Sequence, residues 1–257
     1  MTRARRRRAC LARATLARAA RYDRARHDER QHMTGYSTVV FDLDGTLLDT
    51  LEDLHLAINH TLTWAGLPEQ TLAETRAYVG NGIRRLIENS VPRGTPADMI
   101  DTMQAEFDSF YAVHCDDHTH PYPGIPELLG RLRAEGRYIS VVSNKTDYAV
   151  ASLVAKHFPD AFDVAVGVRE GVAKKPARDM VDLALSLMGE GATRDAAEGR
   201  AAYVGDSEVD VATSANANLP CLAVCWGFRS IKQLADAGAT VIARDAPELM
   251  SLISGEQ

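Results

Sequence analysis

The amino-acid sequence predicts an α/β protein: a parallel sheet with helices on both faces, interrupted once by an inserted block of helices. From Ser37 onward, short β-branched runs alternate with longer helical patterns, and connections long enough for crossovers make such a sheet parallel and covered on both sides. Between Asp49 and Tyr122 that rhythm stops, with several helical patterns in succession and no convincing strand. Acidic residues gather where the candidate strands end, the edge at which sheets of this kind bind ligands.

The candidate strands are Thr38 to Leu43, Tyr138 to Ser143, Asp163 to Gly167, Ala201 to Gly205, Pro220 to Cys225 and Thr240 to Ala243. Their length and their Val, Ile, Phe and Tyr content suit buried strands. Helical patterns cover Ile125 to Glu135, with Pro126 in its first turn and Gly136 as a stop, and Tyr148 to His157, with Thr146 or Asp147 as N-cap. The interruption reads as helices over Leu51 to Trp64, Leu72 to Tyr78, Ile83 to Ser90 and Ala97 to His114, punctuated by glycines and prolines. The expected organisation is a core formed by residues 33–50 and 120–257, with residues 51–119 as a helical cap inserted over the strand ends.

Composition fits this reading, with 46% hydrophobic and 25% charged residues among 257. Residues 1–32 stand apart: eleven arginines against Asp23, Asp28 and Glu29 give that segment about +8 and leave about −14 on the rest. An arm for nucleic acid or membrane, or a transit peptide, is conceivable there. The favoured reading is an extension without a buried face, with the folded protein starting at Met33. The acidic body argues against nucleic-acid binding by the folded part. No run approaches the roughly 18 apolar residues of a membrane span. Four cysteines without a secretory signal point to a reduced, cytoplasmic protein.

Chemistry concentrates at the strand ends. Asp42 and Asp44 lie two apart and face the same way. Close carboxylates repel unless a cation or proton separates them, and a hard ion such as Mg²⁺, held by one or two carboxylates, waters and substrate phosphate, fits. Gly45 allows a tight turn that aims backbone N–H groups at an anion. Ser143 and Asn144 end the second strand ahead of a helix N-terminus, a phosphate-binding arrangement. Lys175, before Pro176, offers a fixed positive charge, although Lys174 is adjacent. Asp206 lies at the tip of the fourth strand, and Asp210 follows at the i, i+4 spacing that stacks side chains on one helix face.

In this order, Asp42-Leu43-Asp44-Gly45-Thr46, Ser143-Asn144, Lys175-Pro176 and Gly205-Asp206-Ser207 with Asp210 resemble the four motifs of the haloacid dehalogenase superfamily of phosphohydrolases. The resemblance spans residues 37 to about 254 and implies a Rossmann-like core, with the insert as its cap. It implies Asp42 as a nucleophile that forms an aspartyl-phosphate, and Asp44 as the acid and base. It implies Mg²⁺ on Asp42, the Asp44 carbonyl and Asp206, with Asp210 a ligand or a support. Ser143, neighbouring amides and Lys175 would hold the phosphoryl group. The presence of Asp44, absent in the family's dehalogenases, favours a phosphate ester. The family often continues its lysine as Pro-x-Pro, whereas here Ala177 and Arg178 follow Pro176.

Tyr78-Val79-Gly80-Asn81-Gly82 with Arg84 and Arg85 resembles the substrate loop of phosphoglycolate phosphatases, and Tyr122-Pro123-Gly124 and Trp226-Gly227-Phe228-Arg229 are also similar to that branch. On that likeness the partner is a small phosphorylated acid such as 2-phosphoglycolate, its carboxylate met by the Gly80-Asn81-Gly82 turn and Arg84. The plainer alternative has Gly80 and Gly82 joining two helices and the arginines solvated. Other activities open to the scaffold are sugar phosphomutase, pyrophosphatase and nucleotidase, and outside enzymes a phosphate-binding regulatory module. His114, Cys115, His118 and His120 lack a standard zinc spacing. Cys221 and Cys225, and Trp64 with its neighbouring leucines, read as core.

Overall fold

The computed structural model describes residues 33–256, so the expectations for residues 1–32 fall outside the described residues. Six parallel strands form the main sheet: β1 (Thr38–Phe41), β4 (Tyr138–Thr146), β5 (Val164–Val168), β6 (Ala201–Gly205), β7 (Cys221–Val224) and β8 (Ile242–Ala243). Their order is β5-β4-β1-β6-β7-β8. β1 lies between β4 and β6, with Phe41 level with Val141 on one side and Val204 on the other.

Alternation along the strands divides the core into two layers. Val39 and Phe41 join Ile139, Val141 and Val204 on one face. That face is covered by α5 (Ile125–Ala134), α6 (Asp147–His157) and α11 (Ala246–Ser254). Val40, Val142 and Tyr203 turn to the other face, against α7 (Asp179–Met188) and α8 (Glu190–Ala197). Between β6 and β7 runs α9 (Glu208–Asn216), and α10 (Ile231–Asp236) precedes β8.

The interruption holds α1 (Leu51–Trp64), α2 (Leu72–Tyr78), α3 (Ile83–Ser90) and α4 (Ala97–His114). α2 starts on a capping box in which Thr71 and Glu74 satisfy each other's backbone N–H groups. Leu54, Ile58, Leu62, Leu86, Met103 and Phe107 give the block its own apolar core. Trp64 does not belong to it: the ring is 51% exposed at the last position of α1, a correction to the core reading.

Two further corrections concern strands. The interval does contain strand: β2 (Leu48–Asp49) and β3 (His120–Pro121) pair antiparallel at the two crossings into the block. Asp53, in the first turn of α1, reinforces this junction by accepting from the N–H groups of His118 and Thr119 and from the Thr119 hydroxyl at 2.7–3.2 Å. β4 does not stop at Ser143 but continues to Thr146, with a shift of register against β5 between Val142 and Thr146. Such an irregularity re-aims side chains next to a site.

Candidate active site

The carboxyl ends of β1, β4 and β6, brought level by their register, place Asp42, Ser143 and Asp206 at one edge of the sheet. Asp42 is 6% exposed and Asp206 and Asp210 are fully buried. A carboxylate oxygen from each of the three lies within 4.8 Å of the others. The Lys175 ammonium stands between two of them, 2.7 Å from Asp42 Oδ1 and 2.8 Å from Asp210 Oδ1, and 3.1 Å from the Tyr203 hydroxyl.

Asp210 is held differently from the helix-face spacing predicted for it. Asp206 precedes α9, and Asp210 turns back as the capping-box partner of Ser207, accepting from its N–H at 3.1 Å and its Oγ at 2.6 Å. With Lys175 and Tyr203 on Oδ1, both oxygens of Asp210 are engaged. Asp206 accepts from the Thr46 hydroxyl at 3.0 Å and the Phe228 N–H at 2.7 Å. Glycines make this density possible. A Cβ on Gly205 would fall 2.3 Å from the Asp210 side chain, and Gly45, at φ +86°, would put one 2.3 Å from Asp206.

Three carboxylates around one ammonium leave uncompensated negative charge in a buried site. Burial first, and then Asp210, pushes the Asp42 carboxyl well above its ordinary range against the opposing pull of Lys175. The same two causes push Asp206 up to about 7. Lys175 moves upward despite its burial because Asp210 and Asp42 favour the ammonium. An oxygen donor set of this charge fits a hard divalent cation.

Asp44 and Ser143 stand beside this cluster, with the Ser143 hydroxyl 3.3 Å from Asp44 Oδ2. Asn144 donates to the Lys175 carbonyl at 3.1 Å, while its own Oδ1 is buried and unpartnered. Above lies the helical block, so that a cavity of about 50 Å³ has a polar floor and an apolar roof of Leu54, Val79, Ile83, Leu86 and Phe228.

The haloacid dehalogenase-like hydrolase family model matches residues 39–224. The chain belongs to the haloacid dehalogenase-like hydrolases. It is 32% identical over 201 residues to a phosphoglycolate phosphatase of Caulobacter vibrioides, covering 77% of this chain and 82% of that one. A phosphoglycolate phosphatase of Aquifex aeolicus is 30% identical over 191 residues, 74% of this chain and 85% of its own. Among solved structures, a phosphoglycolate phosphatase candidate from Lactobacillus delbrueckii subsp. bulgaricus superimposes with a TM-score of 0.80 at 34% identity, covering 86% of this chain and all of the other.

Within this haloacid dehalogenase-like hydrolase the two adjacent lysines take different positions. Lys174 Nζ reaches outward to the Asn81 carbonyl at 3.5 Å, and Lys175 alone of the two enters the acid cluster. Gly80 and Gly82 line the cavity, but Asn81 and Arg84 do not. The half-exposed Arg84 guanidinium pairs with Glu88 and Asp101 on the block's own surface. His114, His118 and His120 are engaged separately, by Asp117, Glu52 and the His118 carbonyl. Cys221 and Cys225 are part-buried at β7. Among the described residues no helix is long and apolar enough to cross a membrane.

Two residues given no role from the sequence belong to the site's surroundings. Lys145, two positions beyond Ser143 and so on the same strand face, is 6% exposed and lines the cavity. Arg229 is buried between Glu208 and the backbone of α2, donating to the carbonyls of Arg76 and Val79 at 2.8 Å. Alternation could have found Lys145; no local signal identifies the partners of Arg229.

Proposed function

We propose that the protein is a Mg²⁺-dependent phosphomonoesterase that works through an aspartyl-phosphate on Asp42, with 2-phosphoglycolate as substrate. The observation that carries this reading is the Asp42 carboxylate at the cavity floor, within 2.7 Å of Lys175 and beside Asp44 and Ser143. Asp42 attacks phosphorus, and the bond from phosphorus to the ester oxygen breaks while Asp44 gives that oxygen its proton. Asp44 then takes a proton from water, which attacks the same phosphorus and frees Asp42 and inorganic phosphate. The Ser143 hydroxyl holds a phosphoryl oxygen, and the Lys175 ammonium, fixed on Asp42 and Asp210, offsets the charge that moves onto those oxygens.

Asp42, Asp206 and the Asp44 carbonyl would hold the ion, which supplies charge neutralisation at the phosphoryl oxygens. Asp210, with both oxygens engaged, orients Lys175 and Ser207 instead of ligating. The block over residues 51–119 acts as a cap that excludes water on closing. The relatives named phosphoglycolate phosphatase point to a small phosphorylated acid as substrate.

The test is phosphate release from 2-phosphoglycolate, a sugar phosphate, a nucleoside monophosphate and pyrophosphate, with and without Mg²⁺, using Asp42→Asn as blank. Release that needs Mg²⁺, favours phosphoglycolate and vanishes in the blank is expected. Preference for another ester would discard the substrate and keep the chemistry. No release from folded protein would overturn both.

A further inference from the structure

The cavity wall holds two cations among the described residues, Lys145 and Lys175. Lys175 is committed to Asp42, Asp210 and the Tyr203 hydroxyl, a full set for an ammonium. Lys145 is not. Its Nζ lies 3.1 Å from Asp44 Oδ1 and donates to the Tyr111 hydroxyl of α4 at 2.6 Å. An ammonium has three donors, and the third meets no acceptor among the described residues.

The position of this spare donor is informative. Asp44 must reach the ester oxygen of the substrate within about 3 Å to protonate it. An acceptor that meets Lys145 Nζ therefore lies a few ångström from that oxygen, the span of one or two carbon atoms. Arg84 pairs with Glu88 and Asp101 on the surface and does not line the cavity.

We propose that Lys145 determines specificity by binding an anionic group, a carboxylate, carried on the leaving alcohol one or two carbons from the ester oxygen. Its contact with Tyr111 ties this recognition to the helical block, because the hydroxyl orients the ammonium only when α4 lies over the site. The assignment rests on the phosphoglycolate reading above and replaces Arg84 as the carboxylate partner within it.

The test compares kcat/KM for 2-phosphoglycolate and for its neutral amide, glycolamide phosphate, in wild type and in Lys145→Gln, with Mg²⁺ present. Wild type is expected to prefer the acid at least tenfold. The variant should lose about 100-fold on the acid, the scale for removing one partner of a desolvated charge pair, and less than tenfold on the amide, so the preference collapses. Each ratio is taken on one preparation, which cancels any change in folded fraction, and Lys145→Met is read the same way. A wild-type preference that survives in both variants overturns the role of Lys145 and leaves the phosphoglycolate reading standing. Equal losses on acid and amide also overturn it, since Lys145 would then act through Asp44 alone. A wild type indifferent to the charge overturns both.

Discussion

Lys175 offsets part of the charge of Asp42 and Asp210, and the remainder governs how the site responds to pH. Burial and Asp210 push Asp206 up to about 7, and Asp42 moves in the same direction. In the unfolded chain these groups titrate near the ordinary 3.8. Between those values the metal-free folded protein holds protons that the unfolded chain has released, so its stability falls as pH rises through the interval. A bound divalent cation needs the carboxylates and removes their repulsion, so it stabilises most where they are ionised. Thermal melts with chelator and with excess Mg²⁺ at about pH 5 and about pH 8 check this. The rise in Tm on adding Mg²⁺ should be clearly larger at the higher pH; equal rises would contradict the charge balance described.

Elements meet the site through a few long side chains, and Arg229 is the clearest. Its Nε and Nη2 grip Glu208 of α9, Nη2 also donates to the Val79 carbonyl and Nη1 to that of Arg76, while Arg76 returns a bond to the Gly227 carbonyl at 3.2 Å. Arg229→Ala should cost about 2 kcal/mol, the scale of charged hydrogen bonds, and raise KM more than it lowers kcat because the loop over the cavity is released. Urea unfolding and steady-state kinetics check both; a fall in kcat alone would refute the positioning role. Helices α1 to α4 lie at the bounds read for them, α1 and α4 from an apolar stripe and the shorter α2 and α3 from the capping residues, glycines and prolines around them. β2 and β3, two residues each, are too short to carry a period. The side chains Asp42, Asp44, Ser143, Lys175 and Asp206 converge as the strand ends suggested, since a parallel sheet puts those ends on one edge. Arg84 and Arg229 were not legible in the same way. Which way a long cation turns depends on carboxylates and carbonyls far away in sequence, here Asp101 for the first and Glu208 and Val79 for the second.

The whole molecule joins an acidic body to an arginine-rich segment, residues 1–32. Tyr36 donates to the Ile253 carbonyl, Ser37 donates to the Arg200 carbonyl, and the Ser37 carbonyl accepts from Tyr138. A chain begun at Met33 should keep its Tm and its kcat/KM. One begun at Thr38 loses these three bonds and about 3 kcal/mol at roughly 1 per bond, which calorimetry on the two truncations distinguishes. An unstable Met33 chain would give that segment a structural part. At this scale the antiparallel pairing of Leu48 with Pro121 and Asp49 with His120 has a topological consequence. Paired residues stand only about 5 Å apart, so the main chain leaves the sheet and returns to it at nearly one point. Loop-closure entropy rises slowly, by about 0.6 kcal/mol for each doubling of length. Bridging that gap with residues 50–119 in place of a tight turn of a few residues takes about four doublings, about 2.5 kcal/mol. The helical block thus meets the sheet through one crossing, so a change of length within residues 50–119 reaches the strand ends beneath only through that pairing and the packing of the apolar roof.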